Sequence, residues 1–174
     1  MKIIFLDIDG VLTSARTGWM NMDPFAVTFL KWICEACDIK IVISSTWRCN
    51  RDRQFFADIF GDELIHSDWR TPWDLMDLAK NCRGDEIQRW LNSHPEVEKY
   101  LIIDDDDDML DHQKEFLRLT STYDGIQFDD QNFILDFFQC RVPCNMNLHT
   151  ICFHPNLFHK DPENQHTKSK IKCS

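Results

Sequence analysis

Aspartate residues form two groups in this 174-residue chain, and their settings suggest metal and phosphate chemistry. Asp7 and Asp9 end an apolar run at the start of the chain and are followed at once by Gly10, whereas Asp104–Asp108 follows the apolar run YLII. Carboxylates beside apolar residues are costly to bury alone, and carboxylates that converge repel one another. A hard divalent cation with oxygen ligands relieves both costs, and Mg²⁺ is the usual one. The two groups therefore predict a shared magnesium site.

The residues around the two groups predict strands that bring them together. Lys2–Ile8, Lys40–Ser44 and Lys99–Ile103 are short, almost continuously apolar runs, as is typical of buried strands. Between the first two, Asp23 is a suitable N-cap and Pro24 a suitable first helical residue. A strand, a helix and a strand in succession form a βαβ unit, which implies a parallel sheet. Ligand sites of such sheets lie at the carboxyl ends of the strands, so we expect the carboxylates to share one crevice.

Four further elements follow from the apolar patterns. The expected apolar face of the first helix carries Phe25, Phe29, Leu30, Ile33 and Cys34. The other predicted elements are a helix over Arg51–Phe60 that ends at Gly61, a short strand over Leu64–His66, and helices over Arg83–Ser93 and Asp129–Phe138.

Composition narrows the class of protein. The formal net charge is −10, which argues against a general attraction to nucleic acid. However, seven acidic residues lie in the two aspartate groups, where a cation would offset them, so nucleic acid is not excluded as a substrate. No apolar run approaches the roughly 18 residues of a membrane span, and the start of the chain is a poor signal peptide. We expect a cytoplasmic protein with no membrane association, whose eight cysteines are thiols or metal ligands.

The chain changes character near residue 140. We predict one domain over Met1–Gln139 and a Cys-, His- and Asn-rich appendage over 140–174. Cysteines and histidines of the appendage could supply four zinc ligands, with Cys140 and Cys144 as a loose Cys-x₃-Cys clip. The alternative is a loosely ordered tail.

Four ordered motifs carry a resemblance to a known family. They are DIDGVL at the first strand, Ser44 after IVI, Arg83 in RGDEIQRWL, and LIIDDDDDM. In this order they resemble the motifs of haloacid dehalogenase-like (HAD) phosphohydrolases. VISSTWR and YDGIQFDD resemble a short subgroup, the HAD domain of Swiss-army-knife RNA-repair proteins. The resemblance implies a Rossmann-like three-layer α/β/α core with a parallel central sheet.

The resemblance also implies a catalytic role for each aspartate of the first motif. Asp7 would attack phosphorus to give an aspartyl-phosphate, and Asp9 would act as general acid and then as general base. Mg²⁺ would be held by Asp7, Asp104, Asp105 and the main-chain carbonyl of Asp9. Asp108 would be either a further ligand or a partner of one.

Cationic and polar side chains would bind the phosphoryl oxygens. The resemblance assigns this to Ser44 and Arg83, with Lys80 as a rival cation. Arg48 could hold a second substrate phosphate or pair with a surface carboxylate. Trp47 and Trp69 could stack on a base or pack in the core.

The motif spacing bears on the substrate. Only 33 residues separate Gly10 from Ser44, and 38 separate Ser44 from Arg83, so neither gap holds a substantial cap domain. An open cleft suits a large substrate, and we expect a Mg²⁺-dependent phosphatase acting on RNA or DNA ends or on nucleotides. The alternatives are a small-molecule phosphatase that uses the tail as a partial lid, and a non-catalytic metal-binding interaction module.

Overall fold

A single parallel sheet of five strands lies at the centre of the protein. The computed structural model describes residues 1–73 and 82–140. The strands are β1 (Lys2–Leu6), β2 (Ile39–Ile43), β3 (Ile65–Arg70), β4 (Lys99–Asp104) and β5 (Leu117–Leu119), in the spatial order β3-β2-β1-β4-β5. All four pairings are parallel, as the sequence predicts.

The register of the sheet sets the site. Leu6, the last residue of β1, is paired with Ile43 of β2 and with Ile103 of β4. The next residues continue these ladders, because Asp7 N–H donates to the Ile103 carbonyl and Ser44 N–H donates to the Leu6 carbonyl, both at 3.0 Å. Three motif residues, Asp7, Ser44 and Asp104, therefore come level at one edge of the sheet.

Helices cover both faces of the sheet. They are α1 (Pro24–Cys37), α2 (Arg53–Phe60), α3 (Arg83–Asn92) and α4 (Phe128–Phe137), with short 3₁₀ turns over Thr46–Cys49 and Asp111–Phe116. The α1 helix begins as predicted, since the Asp23 carboxylate accepts from the Phe25 N–H and Pro24 follows the cap.

Strand side chains alternate between two cores. Ile4 and Leu6 pack in the core that also holds buried residues of α1, α2 and α4, whereas Ile3 and Phe5 face α3. On the second face, Phe5 meets Trp90 edge to face with ring centroids 5.3 Å apart. This arrangement confirms the three-layer α/β/α fold. The described residues carry no cap domain.

The structure also corrects several sequence-based boundaries. Phe25, predicted on the buried face of α1, is 50% exposed and stacks on Phe29. The β3 strand extends to Arg70 rather than ending at His66. The β5 strand was not predicted, because a three-residue edge strand, LRL, has no apolar run of its own. Within the described residues, no helix is both long and apolar enough to cross a membrane.

Candidate active site

Three carboxylates converge at the carboxyl edge of the sheet. One oxygen each from Asp7, Asp104 and Asp105 lies within 4.8 Å of the others. Asp7 and Asp104 are buried, and Asp105 is partly exposed. Adjacent strands hold the first two at one level, so the convergence follows from the register of β1 and β4.

The electrostatics of this group favour a bound cation. Burial raises the pKa of Asp7 and raises that of Asp104 to about 8, although Arg83 works in the opposite direction on both. Burial also raises the pKa of Asp105. One buried Asp104 oxygen, Oδ2, accepts no hydrogen bond from the described residues. Oxygen donors that are desolvated and crowded in this way fit Mg²⁺.

Gly10 lets the chain pass close to the third carboxylate. Its φ of +79° lies in the left-handed region, and a Cβ there would stand 2.1 Å from the Asp105 Oδ2. Any side chain at this position would displace Asp105. The glycine after the two aspartates is therefore required by both conformation and space.

Arg83 places a positive charge against two of the carboxylates. Its Nη1 lies 3.3 Å from Asp7 Oδ1 and its Nε lies 3.6 Å from Asp104 Oδ2. Nη1 also donates to the Ser44 carbonyl. Burial alone would lower the pKa of the guanidinium, but Asp7 and Asp104 outweigh it and the pKa lies above its usual value. The first residue of α3 thus supplies a fixed cation at the carboxylate group.

Asp9 lies beside the group, with its carboxylate held in one orientation. Thr13 Oγ1 donates to Oδ1 at 2.9 Å, and Trp47 Nε1 donates to Oδ2 at 3.1 Å. The residue is solvent-exposed, unlike Asp7. A carboxylate oriented in this way at the mouth of the cleft is suited to proton transfer. The contacts from Thr13 and Trp47 were not predicted, because indole and hydroxyl donors carry no motif of their own.

Comparison with known families agrees with this geometry. Residues 3–130 match the HAD domain in Swiss Army Knife RNA repair proteins. The chain belongs to this family. The match runs from β1 into α4 and so includes every strand of the sheet, and HAD membership points to phosphohydrolase chemistry. No curated protein and no solved structure matches the chain.

Two serines follow β2 in this HAD domain, and they have different surroundings. Both are buried. The Ser45 side chain acts to lower the pKa of Asp7, against the larger effect of burial, and its Oγ accepts from the Trp47 N–H at 3.4 Å. The Ser44 hydroxyl has no partner among the described residues. An orphaned hydroxyl beside Arg83 is available to a phosphoryl oxygen, so Ser44 stays the predicted phosphate ligand, and Ser45 is a neighbour that the motif did not reveal.

Asp108 lies outside the three-carboxylate group and contacts the start of α3. Its Oδ2 accepts from the backbone N–H of Arg83 at 3.2 Å, and its carbonyl accepts from the Gly84 N–H at 3.2 Å. These contacts satisfy donors at the N-terminus of α3. The structure therefore favours Asp108 as a residue that positions Arg83 rather than as a metal ligand.

The structure corrects the prediction for Arg48, because its side chain is only 1% exposed. Its Nη2 lies 2.6 Å from Glu86 Oε2, its Nε donates to the Thr71 carbonyl at 3.2 Å, and its Nη1 donates to the Ser44 carbonyl. With these partners, the guanidinium is fixed in the protein interior. It does not pair with a surface carboxylate, and its N–H donors are not available to a second substrate phosphate.

The remaining candidates have mixed outcomes. Trp69, predicted either to stack on a base or to pack in the core, packs against Phe56 at 5.4 Å between ring centroids. Trp47 combines a packing contact with Phe55 and the hydrogen bond to Asp9. Lys80 and the appendage beyond Cys140 lie outside the described residues.

Proposed function

We propose that this protein is a Mg²⁺-dependent phosphomonoesterase that works through an aspartyl-phosphate on Asp7. One observation carries the proposal. The buried Asp7 carboxylate lies in contact with Arg83 and in one group with Asp104 and Asp105, while the carboxylate of Asp9 is oriented beside them. This combination supports the assignment of a nucleophile, a fixed cation, a candidate metal site and a proton donor to these residues.

The first half of the reaction forms the covalent intermediate. An oxygen of Asp7 attacks phosphorus, the bond from phosphorus to the ester oxygen breaks, and Asp9 gives its proton to the departing alcohol. In the second half, Asp9 takes a proton from water as that water attacks the aspartyl-phosphate. Asp7 and inorganic phosphate are released.

Attack by a carboxylate on a phosphate dianion brings two anions together, so the site must neutralise charge. Arg83 supplies one positive charge beside Asp7. Its N–H groups and the orphaned Ser44 hydroxyl would bind the phosphoryl oxygens. Asp7, Asp104, Asp105 and the main-chain carbonyl of Asp9 would hold Mg²⁺, which when bound supplies further charge neutralisation.

Two observations support a nucleic-acid end as the substrate. Asp9 is solvent-exposed, and residues 1–73 and 82–140 form no cap domain over it, which supports access by a long chain. The family to which the chain belongs is described from RNA repair proteins. We propose terminal phosphates of RNA or DNA, or nucleotides, as substrates.

Hydrolysis of an aryl phosphate tests the reaction. We expect phosphate release that requires Mg²⁺, is abolished by a chelator, and is lost in Asp7→Asn. Asp107→Asn is the matched control, because it removes one carboxylate from the same aspartate run outside the three-carboxylate group. More than a few per cent of residual activity in Asp7→Asn would show that Asp7 is not the nucleophile.

A substrate panel tests the specificity. The panel compares oligonucleotides carrying a 3′- or a 5′-phosphate with the corresponding mononucleotides and sugar phosphates. We expect the highest kcat/KM with an oligonucleotide end. Equal or better turnover of sugar phosphates would favour the small-molecule phosphatase instead.

A further inference from the structure

A cavity of about 460 Å³ lies between the edge strand β3 and helix α3. The described part of its wall includes Arg48, Arg70, Thr71, Trp73, Arg89 and Trp90. This volume is within the usual range for small-ligand sites. None of the catalytic roles above uses the cavity.

The cavity is joined to the catalytic residues by direct contacts. Arg48, in its wall, donates to the Ser44 carbonyl, which also accepts from Arg83. Thr71, the residue after β3, pairs its N–H with the Ile43 carbonyl at the same edge of the sheet. A ligand in the cavity is therefore one layer of side chains away from the predicted phosphate site.

The described part of the cavity wall carries three arginines and one carboxylate. Glu86 neutralises Arg48, whereas Arg70 and Arg89 are exposed. Arg70 Nη1 donates to the Arg48 carbonyl at 3.0 Å, and neither Arg70 nor Arg89 pairs with a carboxylate within 4.0 Å among the described residues. Asp68, the carboxylate in the wall, lies 3.5 Å from His94 Nε2. The opposite side of the site carries the aspartates that follow β4. A polyanion is repelled on that side and attracted on the β3 side.

Polar groups in the wall also lack partners. The Thr71 hydroxyl is buried, as is the Trp73 indole N–H, and neither has a hydrogen-bond partner among residues 1–73 and 82–140. Buried polar groups of native proteins are nearly always paired. A nucleotide supplies acceptors in its phosphate, its sugar and its base. It also offers a flat face to an aromatic side chain such as Trp73.

We propose that this cavity binds the nucleotide next to the reacting phosphate of a single-stranded nucleic-acid end. Arg70 and Arg89 hold the phosphodiester of that nucleotide, and its sugar and base lie against Thr71 and Trp73. The proposal rests on the proposed function, because that function decides where the reacting phosphate of the nucleic-acid strand lies. It assigns the polynucleotide contacts to β3, the residues that follow it, and α3.

Binding without turnover tests the subsite. The probe is a fluorescent single-stranded oligonucleotide of about six nucleotides with a terminal phosphate, titrated into Asp7→Asn protein and followed by anisotropy. In that background, Arg70→Gln with Arg89→Gln removes two charges from the cavity. Arg53→Gln with Lys114→Gln removes two charges from exposed ion pairs elsewhere and is the matched control.

We expect the two double variants to differ in their affinity for the oligonucleotide. We expect the cavity variant to bind at least tenfold more weakly and to lose salt dependence, by a slope of about 0.7 for each lost phosphate contact. The control should change less than twofold. Equal weakening in both would show a general charge effect and would overturn the subsite, as would unchanged binding in both.

Kinetics separate this proposal from the proposed function. In the active protein we expect the cavity variant to lower the ratio of kcat/KM for the oligonucleotide to kcat/KM for an aryl phosphate at least tenfold. An equal fall for both substrates would overturn the subsite. Absence of Mg²⁺-dependent aryl phosphate hydrolysis in the unmodified protein would overturn the proposed function instead, while the binding titration would still decide the subsite.

Discussion

The indole N–H of Trp47 donates to the carboxylate of Asp9 at 3.1 Å, across 38 residues of sequence. Trp47 lies in the 3₁₀ turn Thr46–Cys49 that follows β2, and Asp9 lies just beyond β1. Pairing of these strands brings the turn beside the first motif. With Thr13 on the other oxygen, both oxygens of the carboxylate are held. Trp47 is therefore a positioning residue for the proposed acid and base.

Replacing Trp47 by Phe should slow turnover while the fold is kept. The ring is retained but the donor to a carboxylate is lost, and we expect kcat to fall by about tenfold, the equivalent of ~1.4 kcal/mol. The loss should be larger for alkyl than for aryl phosphates. Trp69→Phe is the control, because Trp69 packs on Phe56 rather than on Asp9. Equal losses in the two variants would contradict the positioning role.

Asp9→Asn should impair proton transfer directly. We expect kcat for alkyl phosphates to fall by roughly 10²–10⁴, the range of general acid–base groups. Aryl phosphates should lose less, because their leaving groups need little protonation. Steady-state kinetics over a series of leaving groups measures this difference. An equal fall in kcat for all leaving groups would show that Asp9 is not the general acid.

The two serines after β2 should respond in different ways. The Ser44 hydroxyl has no partner among the described residues, so Ser44→Ala should leave stability nearly unchanged and weaken inhibition by inorganic phosphate by about tenfold. Ser45→Ala loses the cap on the Trp47 N–H and the hydroxyl that lowers the pKa of Asp7, and should cost about 1 kcal/mol of unfolding free energy. Urea unfolding and phosphate inhibition of both variants make the comparison. The reverse pattern would exchange the two roles.

Removing Mg²⁺ should destabilise the protein, and more so at higher pH. The carboxyls of Asp7, Asp104 and Asp105 have raised pKa values in the folded state, so the folded chain binds more protons than the unfolded chain. Their contribution to stability without metal therefore falls as pH rises from about 4 towards the value of about 8 for Asp104.

Thermal unfolding with chelator and with Mg²⁺ measures this effect. Mg²⁺ at a hundredfold excess over its dissociation constant should add about 2.7 kcal/mol. The difference in Tm between the two conditions should widen between pH 5 and pH 8, because protons compete with the cation at low pH. Identical midpoints at every pH would show that the three carboxylates do not bind the cation together.

The buried ion pair of Arg48 and Glu86 should be a major determinant of stability. Arg48→Ala leaves Glu86 buried without its cation, and we expect a loss of about 3–5 kcal/mol. Arg48→Met with Glu86→Leu should lose much less, because both charges are removed. Arg53→Ala breaks an exposed pair and should cost at most about 1 kcal/mol in the same urea experiment. A loss within that limit for Arg48→Ala would contradict the buried pairing.

Much of the fold and part of the site could be predicted from the sequence, because both depend on local patterns. Apolar runs of strand length locate β1, β2 and β4, and the aspartate with proline before α1 marks its start. Once the strands are parallel, residues that follow them share one edge of the sheet. This is why Asp7, Asp104 and Asp105 were expected together and lie together. The family could be recognised for the same reason, since its motifs occupy those strand ends.

Only the tertiary structure determined which partners the long polar side chains contact. Arg48, Asp108 and Trp47 lie on loops and turns, where sequence spacing does not fix direction. Burial of Arg48 depends on Glu86, a residue of α3 that no local pattern connects to β2. Asp108 turns towards the start of α3, and Trp47 turns towards Asp9, because packing of separate elements brings those partners within reach. Strand periodicity places backbone positions, whereas the partner of a flexible polar side chain depends on contacts between elements distant in sequence.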